Sequence, residues 1–183
     1  MTKTFLQTFL LAALLLTSAS SSSVFAESDG SALDEARRAA LVELPPLVRT
    51  PLREEHLTGR VVVIGFFASW CPPCRPEFAP LNAIREEFDR DEVEVLAVNI
   101  FEDHFKKDLE NRLASFLITT EPSFKVVGEG ERVAALFGPV TRIPTTFVFA
   151  RDGQPAMHFI HKQGASKTHA TLDELRAAVE AAL

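Results

Sequence analysis

Apolar residues in this chain form several short continuous runs, and the segments between them repeat apolar positions with helical spacing. After the first 26 residues, the two longest runs are residues 60–67 (RVVVIGFF) and 93–100 (VEVLAVNI). Runs this rich in β-branched and aromatic residues are typical of strands that are buried on both faces of a sheet. Shorter strands are predicted at residues 124–127, 146–150 and 155–160. The last two form a hairpin, because Asp152 and Gly153 between them are a strong turn signal.

Helical spacing fills the intervals between these strands. In residues 75–88, Phe78, Leu81, Ile84 and Phe88 fall on one stripe. Further helices are predicted at residues 32–41, 101–116, 131–137 and 171–183. The resulting order, β-α-β-α-β-α-β-β-α after the first short helix, predicts an α/β fold. Its central sheet is expected to be mostly parallel and covered by helices on both faces, with the hairpin as an antiparallel edge.

The first 26 residues follow a different pattern. Lys3 precedes an apolar run at residues 5–16, and a stretch of small residues then ends at Ala26. This order is typical of a secretory signal peptide cleaved after Ala26. We therefore predict a periplasmic or otherwise exported protein, with residues 27–43 as an N-terminal extension and 44–183 as the folded domain. The alternative is an uncleaved membrane anchor, although a spanning helix needs roughly 20 apolar residues.

Composition and charge narrow the function classes. The 183 residues are 46% hydrophobic and 24% charged, which is ordinary for one folded domain. The net charge is −6 and no basic stripe is present, so nucleic acid is not expected as a partner. The charged segment 85–94 and the histidine-containing segment 158–169 are expected to be solvent-facing surfaces.

The two cysteines, Cys71 and Cys74, lie where the buried strand 60–67 passes into the helix 75–88. Backbone N–H groups at a helix N-terminus stabilise a thiolate, which predicts a nucleophile at Cys71. Cys74 lies one helical turn further and can resolve a mixed disulfide on Cys71. The alternatives are a permanent disulfide, whose loop is too small to stabilise the fold much, or half of a metal site that needs two more ligands.

Three segments together resemble a known family. They are residues 61–77 (VVVIGFFASWCPPCRPE), residues 142–146 (RIPTT), and Arg151 to Gly153. They resemble the exported thioredoxin-like thiol-disulfide oxidoreductases of the TlpA/ResA/CcmG type, and the resemblance covers residues 44–183. It implies a thioredoxin fold, with three α/β/α layers around a mixed sheet, an N-terminal extension and a central insert that includes residues 101–127.

The resemblance also implies roles for individual residues. Cys71 would be the attacking thiol and Cys74 the buried resolving thiol. Pro144 would be a cis-proline packed against the disulfide, and Ile143 would offer its backbone to an incoming peptide. Trp70 would belong to the docking surface for the partner, with partial packing in the core as the alternative.

Glu77 lies three residues after Cys74, on the same face of the predicted helix. Members of the family have an acidic residue there that tunes the cysteines and moves protons. Cytosolic thioredoxins have a buried aspartate at the position of Gly65 instead, so Glu77 is the expected proton-handling group here. The alternative is a solvated glutamate on the helix surface.

The function implied is that of an enzyme, a protein disulfide reductase that uses the Cys71–Cys74 disulfide and no bound cofactor or metal. The resemblance further implies electrons from a membrane thiol transporter of the DsbD/CcdA type. Its targets would be disulfide-containing proteins such as apocytochrome c, which would place it in cytochrome c maturation. A disulfide-forming oxidase and a copper-binding thioredoxin-like chaperone are the alternatives.

Overall fold

A six-stranded sheet forms the centre of the protein, in the order β1-β4-β3-β2-β5-β6. The structure is a computed structural model that describes residues 32–105, 108–138 and 140–183, so the predicted signal peptide lies outside the described residues. The strands are β1 (Pro46–Val48), β2 (Val61–Phe67), β3 (Val93–Asn99), β4 (Lys125–Val127), β5 (Thr145–Phe149) and β6 (Pro155–Ile160). The inner strands β2, β3 and β4 are parallel, whereas β1, β5 and β6 each pair antiparallel with a neighbour.

Helices cover both faces of this sheet. They are α1 (Glu35–Val42), α2 (Cys74–Glu87), α3 (Leu109–Thr120), α4 (Glu131–Ala134) and α5 (Leu172–Ala182). On one face, Phe67 of β2 packs against Phe78 of α2 and Phe116 of α3, and α5 lies beside α2. On the other face, where α1 meets α4, Phe137 contacts Phe66 and Phe147. The predicted three-layer arrangement on a mixed sheet is therefore confirmed.

Local sequence signals account for much of this architecture. Every residue of β2 and β3 is buried, as expected for strands with a helical layer on each side. At the start of α5, the Thr171 side chain accepts a hydrogen bond from the Glu174 backbone, and the Glu174 carboxylate accepts one from the Thr171 backbone. This reciprocal capping box satisfies two backbone donors at the helix start.

The segment after β3 differs from the prediction of a helix over residues 101–116. Phe101 has a φ of 57°, in the left-handed region, and Glu102–His104 form a single 3-10 turn. The regular helix α3 begins only at Leu109, directly after Asp108, whose φ of 56° also lies in the left-handed region. The short edge strand β1 also escapes sequence prediction, since three residues that begin with a proline are too short a run to indicate a strand.

The prediction that the charged segment 85–94 faces solvent is wrong at both of its ends. Arg85 is buried, and its guanidinium donates hydrogen bonds to the backbone carbonyls of Val93 and Phe88. Glu94 is buried because it belongs to the inner strand β3. Burial raises the pKa of the Glu94 carboxyl, and the nearby Lys125 and Arg85 partly offset this shift.

The hairpin turn between β5 and β6 fastens the N-terminal segment to the sheet. The backbone N–H of Leu33 donates to the Gly153 carbonyl at 2.8 Å. Gly153 has a φ of +82°, and a Cβ added there would lie 2.9 Å from the Leu33 carbonyl oxygen. Only glycine meets both conditions without strain.

Replacing Gly153 with alanine is therefore expected to lower the free energy of unfolding by about 2 kcal/mol, since the left-handed conformation and the close contact both penalise a side chain. Urea unfolding of the two proteins measures this loss. Gly59→Ala is the matched control, because Gly59 has a φ of +70° but no atom within 4 Å of an added Cβ. Equal losses for the two variants would contradict the importance of the Leu33 contact.

The length and hydropathy of a helix decide whether it can cross a membrane. Within the described residues, no helix is both long enough and apolar enough to cross a bilayer.

Candidate functional site

Cys71 and Cys74 form a disulfide at the junction between β2 and α2, with their Cα atoms 5.4 Å apart. The helix begins at Cys74 and Pro73 is its N-cap residue, so Cys71 lies two residues before the cap. The Cys74 backbone N–H donates to the Cys71 carbonyl at 3.2 Å. A proline at the helix start suits this tight turn, because its missing N–H has no helical partner to lose.

The two cysteines differ in their access to solvent. Cys71 is 4% exposed and lines an open groove of about 580 Å³, whereas Cys74 is completely buried and lies outside the groove wall. A partner disulfide can therefore approach Cys71 from the groove, while Cys74 can be reached only from within the protein. An attacking and a resolving thiol require this asymmetry.

The loop before β5 forms the wall of the groove opposite the cysteines. Ile143 lines the groove, and the Ile143–Pro144 peptide bond is cis. Pro144 itself is buried and is not among the residues that line the groove. Its carbonyl accepts a hydrogen bond from the His161 backbone N–H at 3.0 Å, which joins the loop to the end of β6.

Trp70 contributes an aromatic wall on the other side. Its indole Nε1 donates to the Phe101 carbonyl at 2.6 Å. Its ring stacks on His104 with centroids 5.0 Å apart and meets the edge of Phe105 at 5.3 Å. Trp70 is half-buried and also lines the groove, so its ring is partly packed and partly open to the groove.

A polar network behind this wall involves residues that the sequence analysis missed. The Glu102 carboxylate accepts hydrogen bonds from the Ser69 backbone and hydroxyl and from Asn99 Nδ2, and it pairs with Arg112 at 3.3 Å. This network fixes the segment 101–105 beside the active-site turn. Asn99 and Glu102 could have been identified from their position at the carboxyl end of β3, because ligands of α/β sheets bind beyond the carboxyl ends of strands.

The segment 158–169 is strand and loop with no fully buried residue, in agreement with the prediction of a surface, but His161 has a more specific position. His161 does not simply face solvent. It lines the groove together with Cys71, and its ring Nδ1 is buried with no hydrogen-bond partner among the described residues. His104, from the segment after β3, lines the same groove.

Glu77 lies under the active site and is completely buried on α2. Its Oε1 accepts a hydrogen bond from the Thr146 hydroxyl at 2.5 Å. Burial raises the pKa of the Glu77 carboxyl to about 7, although the hydrogen bonds from Thr146 and the Ala170 backbone partly oppose the shift. Glu77 is thus not a solvated surface glutamate, and near neutral pH it can both accept and donate a proton.

The space that Glu77 occupies adjoins Gly65 of β2. A Cβ added to Gly65 would lie 3.9 Å from Glu77 Oε2. The sequence analysis identified residue 65 as the position at which cytosolic thioredoxins have a buried aspartate. The carboxyl group of Glu77 therefore reaches the neighbourhood of that position from the adjoining helix, one turn from Cys74.

Comparisons with known proteins agree with this site. The AhpC/TSA family matches residues 36–154. The thiol-disulfide oxidoreductase ResA of Geobacillus thermodenitrificans is 31% identical over 105 residues, which are 56% of this chain and 57% of the relative. ResA of Bacillus subtilis is 31% identical over 98 residues, which are 54% of this chain and 51% of the relative.

A solved structure gives a more extensive match. A secreted disulfide oxidoreductase from Mycobacterium tuberculosis has a TM-score of 0.61 at 18% identity, covering 81% of this chain and 99% of that one. At this identity the likeness concerns the fold, and it confirms the predicted thioredoxin fold. The chain spans a little over half the length of the curated relatives named above.

Proposed function

The chain belongs to the AhpC/TSA family, and on that premise we propose that it is a thiol-disulfide oxidoreductase acting through Cys71 and Cys74. Its relatives named ResA agree with the resemblance to the TlpA/ResA/CcmG type. The observation that carries the proposal is the asymmetric disulfide, with Cys71 at an open groove and Cys74 fully buried.

The first step joins the protein to its substrate. In the dithiol form, the Cys71 thiolate attacks one sulfur of the substrate disulfide. A Cys71–substrate mixed disulfide forms, the substrate S–S bond breaks, and the other substrate sulfur leaves as a thiolate that takes up a proton. The groove admits the substrate at Cys71, and Ile143 on the opposite wall supplies a backbone for it to pair with.

The second step releases the product. The Cys74 thiol loses its proton and attacks the Cys71 sulfur, so the Cys71–Cys74 disulfide forms and the second substrate thiolate leaves. Two electrons have then passed from the protein to the substrate. Glu77 lies one helical turn from Cys74 and has a pKa of about 7, which suits a group that accepts the Cys74 proton near neutral pH.

The redox group of this reaction is the disulfide itself, and we propose that no cofactor or metal takes part. The copper-chaperone alternative would need further ligands beside the two cysteines. Within the described residues, no three His, Cys, Asp or Glu side chains are grouped closely enough to hold a metal ion. Copper content after purification, compared with Cys→Ser variants, tests that alternative directly.

We further propose that the protein is exported and reduces protein disulfides there. The signal-peptide pattern of residues 1–26 supports export, and the similar Mycobacterium tuberculosis protein is described as secreted. Disulfides persist outside the cytoplasm, so a reductase there needs a dedicated donor, for which a membrane thiol transporter of the DsbD/CcdA type is the proposed partner. The proposed targets are disulfide-containing proteins, with apocytochrome c in cytochrome c maturation as one candidate.

The reduction potential of the Cys71–Cys74 pair tests the direction of exchange. We expect a value near that of thioredoxin, about −270 mV, because a reductase must give electrons to its targets. Equilibration with defined thiol–disulfide buffers, followed by alkylation and mass spectrometry, measures the reduced fraction. A value near about −120 mV, typical of a strong oxidant, would contradict the reductase and favour the disulfide-forming oxidase.

A further inference from the structure

The charges around the active-site groove differ from those of the protein as a whole. The chain has 25 Asp and Glu residues and 19 Lys and Arg residues, yet the charged residue among those that line the groove is Arg142, which lies there with the imidazoles of His104 and His161 and with no described aspartate or glutamate. The exposed Asp103 precedes His104 in sequence but does not line the groove. The surface around Cys71 is therefore suited to an anionic ligand, although the protein is acidic.

Two carboxylates that could neutralise this surface are already engaged elsewhere. Glu102 is held by Ser69, Asn99 and Arg112. Glu131 accepts a hydrogen bond from the Phe101 backbone N–H at 2.8 Å. Neither carboxylate lines the groove, and neither is paired with the guanidinium of Arg142.

Arg142 is the strongest positive group in the groove. Its side chain is exposed and makes no ion pair or hydrogen bond with any described residue. Its backbone is held, because the Arg142 carbonyl accepts a hydrogen bond from the Thr145 hydroxyl at 2.8 Å. An arginine that has no partner of its own can bind a carboxylate without first breaking another interaction.

The place of Arg142 in the chain determines what it can reach. It immediately precedes Ile143, whose backbone is the proposed pairing partner of the substrate. A substrate strand that pairs there brings a cysteine to Cys71, so the side chains beside that cysteine lie within reach of the long guanidinium arm. His161 is joined to the same loop by its hydrogen bond to the Pro144 carbonyl, and it adds a second basic group to this wall.

The wall that contains Trp70 is aromatic, whereas the wall that contains Arg142 is charged. Trp70 and His104 stack there, and Phe105 is 51% exposed beside them. A substrate segment can therefore place an apolar side chain on the aromatic wall and a charged one on the Arg142 wall.

From this arrangement, and resting on the proposed function, we infer that the groove selects protein substrates with an acidic residue beside the reactive cysteine. The occupant is a disulfide-containing polypeptide segment whose aspartate or glutamate binds the guanidinium of Arg142. The interaction selects among substrates, because the exchange chemistry at Cys71 is the same for every disulfide.

Three synthetic peptides test this inference. They are identical except for one residue, Asp, Asn or Lys, next to a cysteine of their intramolecular disulfide, and the reduced protein is mixed with each at low ionic strength. We expect the Asp peptide to be reduced about 5-fold faster than the Asn peptide, as for an ion pair near the surface, and the Lys peptide to be slowest. The same ratio measured at high salt should approach one, because salt screens the interaction.

Two variants test whether Arg142 causes the difference in rate between the Asp and Asn peptides. Arg142→Gln should bring the Asp-to-Asn ratio close to one, whereas Arg132→Gln should leave it unchanged, since Arg132 is exposed on α4 and does not line the groove. Equal rates for the three peptides with the unmodified protein would overturn the inference but not the proposed function. A ratio that persists in Arg142→Gln would overturn the assignment to Arg142. Failure to reduce any of the three peptides would instead overturn the proposed function.

Discussion

Replacing Cys74 with serine is expected to trap the protein in a mixed disulfide with its substrate, whereas replacing Cys71 with serine is expected to abolish exchange. Only Cys71 lines the groove, so it alone can attack a partner. Without Cys74 no second thiol displaces the substrate from Cys71, and the reaction stops half-way. Incubation of each reduced variant with insulin, followed by non-reducing electrophoresis and mass spectrometry, detects the adduct and the linked cysteine.

The catalytic interpretation also requires that both variants stay folded. The disulfide closes a very short loop, so its loss should cost no more than about 2 kcal/mol of stability. Circular dichroism and urea unfolding of the single variants and of the double Cys→Ser variant serve as the control. An adduct formed through Cys74 in the Cys71→Ser variant would reverse the roles proposed for the two thiols. Full turnover in either single variant would contradict the mechanism itself.

Replacing Glu77 with glutamine is expected to change both the stability of the disulfide form and the rate of exchange. Burial raises the pKa of the Glu77 carboxyl from 4.5 to about 7 in the folded protein. Below pH 4.5 the group is protonated in the folded and unfolded states alike. Between pH 4.5 and 7 only the folded state keeps the proton, and above pH 7 the folded state must bury a carboxylate.

Stability of the unmodified protein should therefore fall as pH rises through this window, by up to about 3 kcal/mol from this one group. Glutamine stays neutral at every pH, so this part of the fall should be absent from the variant. Urea unfolding of the two oxidised proteins at intervals from pH 4 to 8 measures the difference. Glu86→Gln, an exposed substitution on the same helix, should retain the pH dependence of the unmodified protein.

The kinetic effect has a separate cause. Without the carboxyl group, Cys74 loses the nearest proton acceptor on α2, and resolution of the mixed disulfide near pH 7 should slow on the order of 100-fold. Stopped-flow measurement of product release across the same pH range isolates that step. If the rates and the apparent pKa values of the thiols in Glu77→Gln match those of the unmodified protein, Glu77 has no part in proton transfer.

The fold could be predicted wherever a local pattern determines the structure. The apolar runs at 60–67 and 93–100 can bury the side chains of both strand faces only inside a sheet that is covered on both sides. These runs form β2 and β3. Asp152 and Gly153 predicted the hairpin, and the helix predicted at residues 171–183 corresponds to α5 with Thr171 as its N-cap. In each case neighbouring residues carry the whole signal.

At the candidate site, too, some features follow from local sequence and others depend on residues that are distant along the chain. The spacing and position of Cys71 and Cys74 indicate dithiol chemistry by themselves. Two cysteines that are three residues apart at a strand–helix junction lie close enough for their sulfurs to form a disulfide. The sequence placed Glu77 on the same helix face as Cys74, but it could not decide the burial of that carboxyl. Its burial depends on packing against residues such as Thr146, which is 69 residues away along the chain, and this burial raises the pKa of the carboxyl although the Thr146 hydrogen bond opposes the shift.

Only the tertiary structure decided the remaining features, because each depends on atoms from distant segments. The Glu102 carboxylate binds Ser69, 33 residues earlier, and no local pattern predicts this contact. Arg85 and Glu94 look like surface residues by composition, yet their place between the sheet and its helices buries them. Arg142 and His161 likewise line the groove beside Cys71 only because the chain returns both residues to the end of β2. The sequence by itself thus determined the fold and the position of the two cysteines, and the tertiary structure determined the burial of Glu77 and the side chains that surround the disulfide.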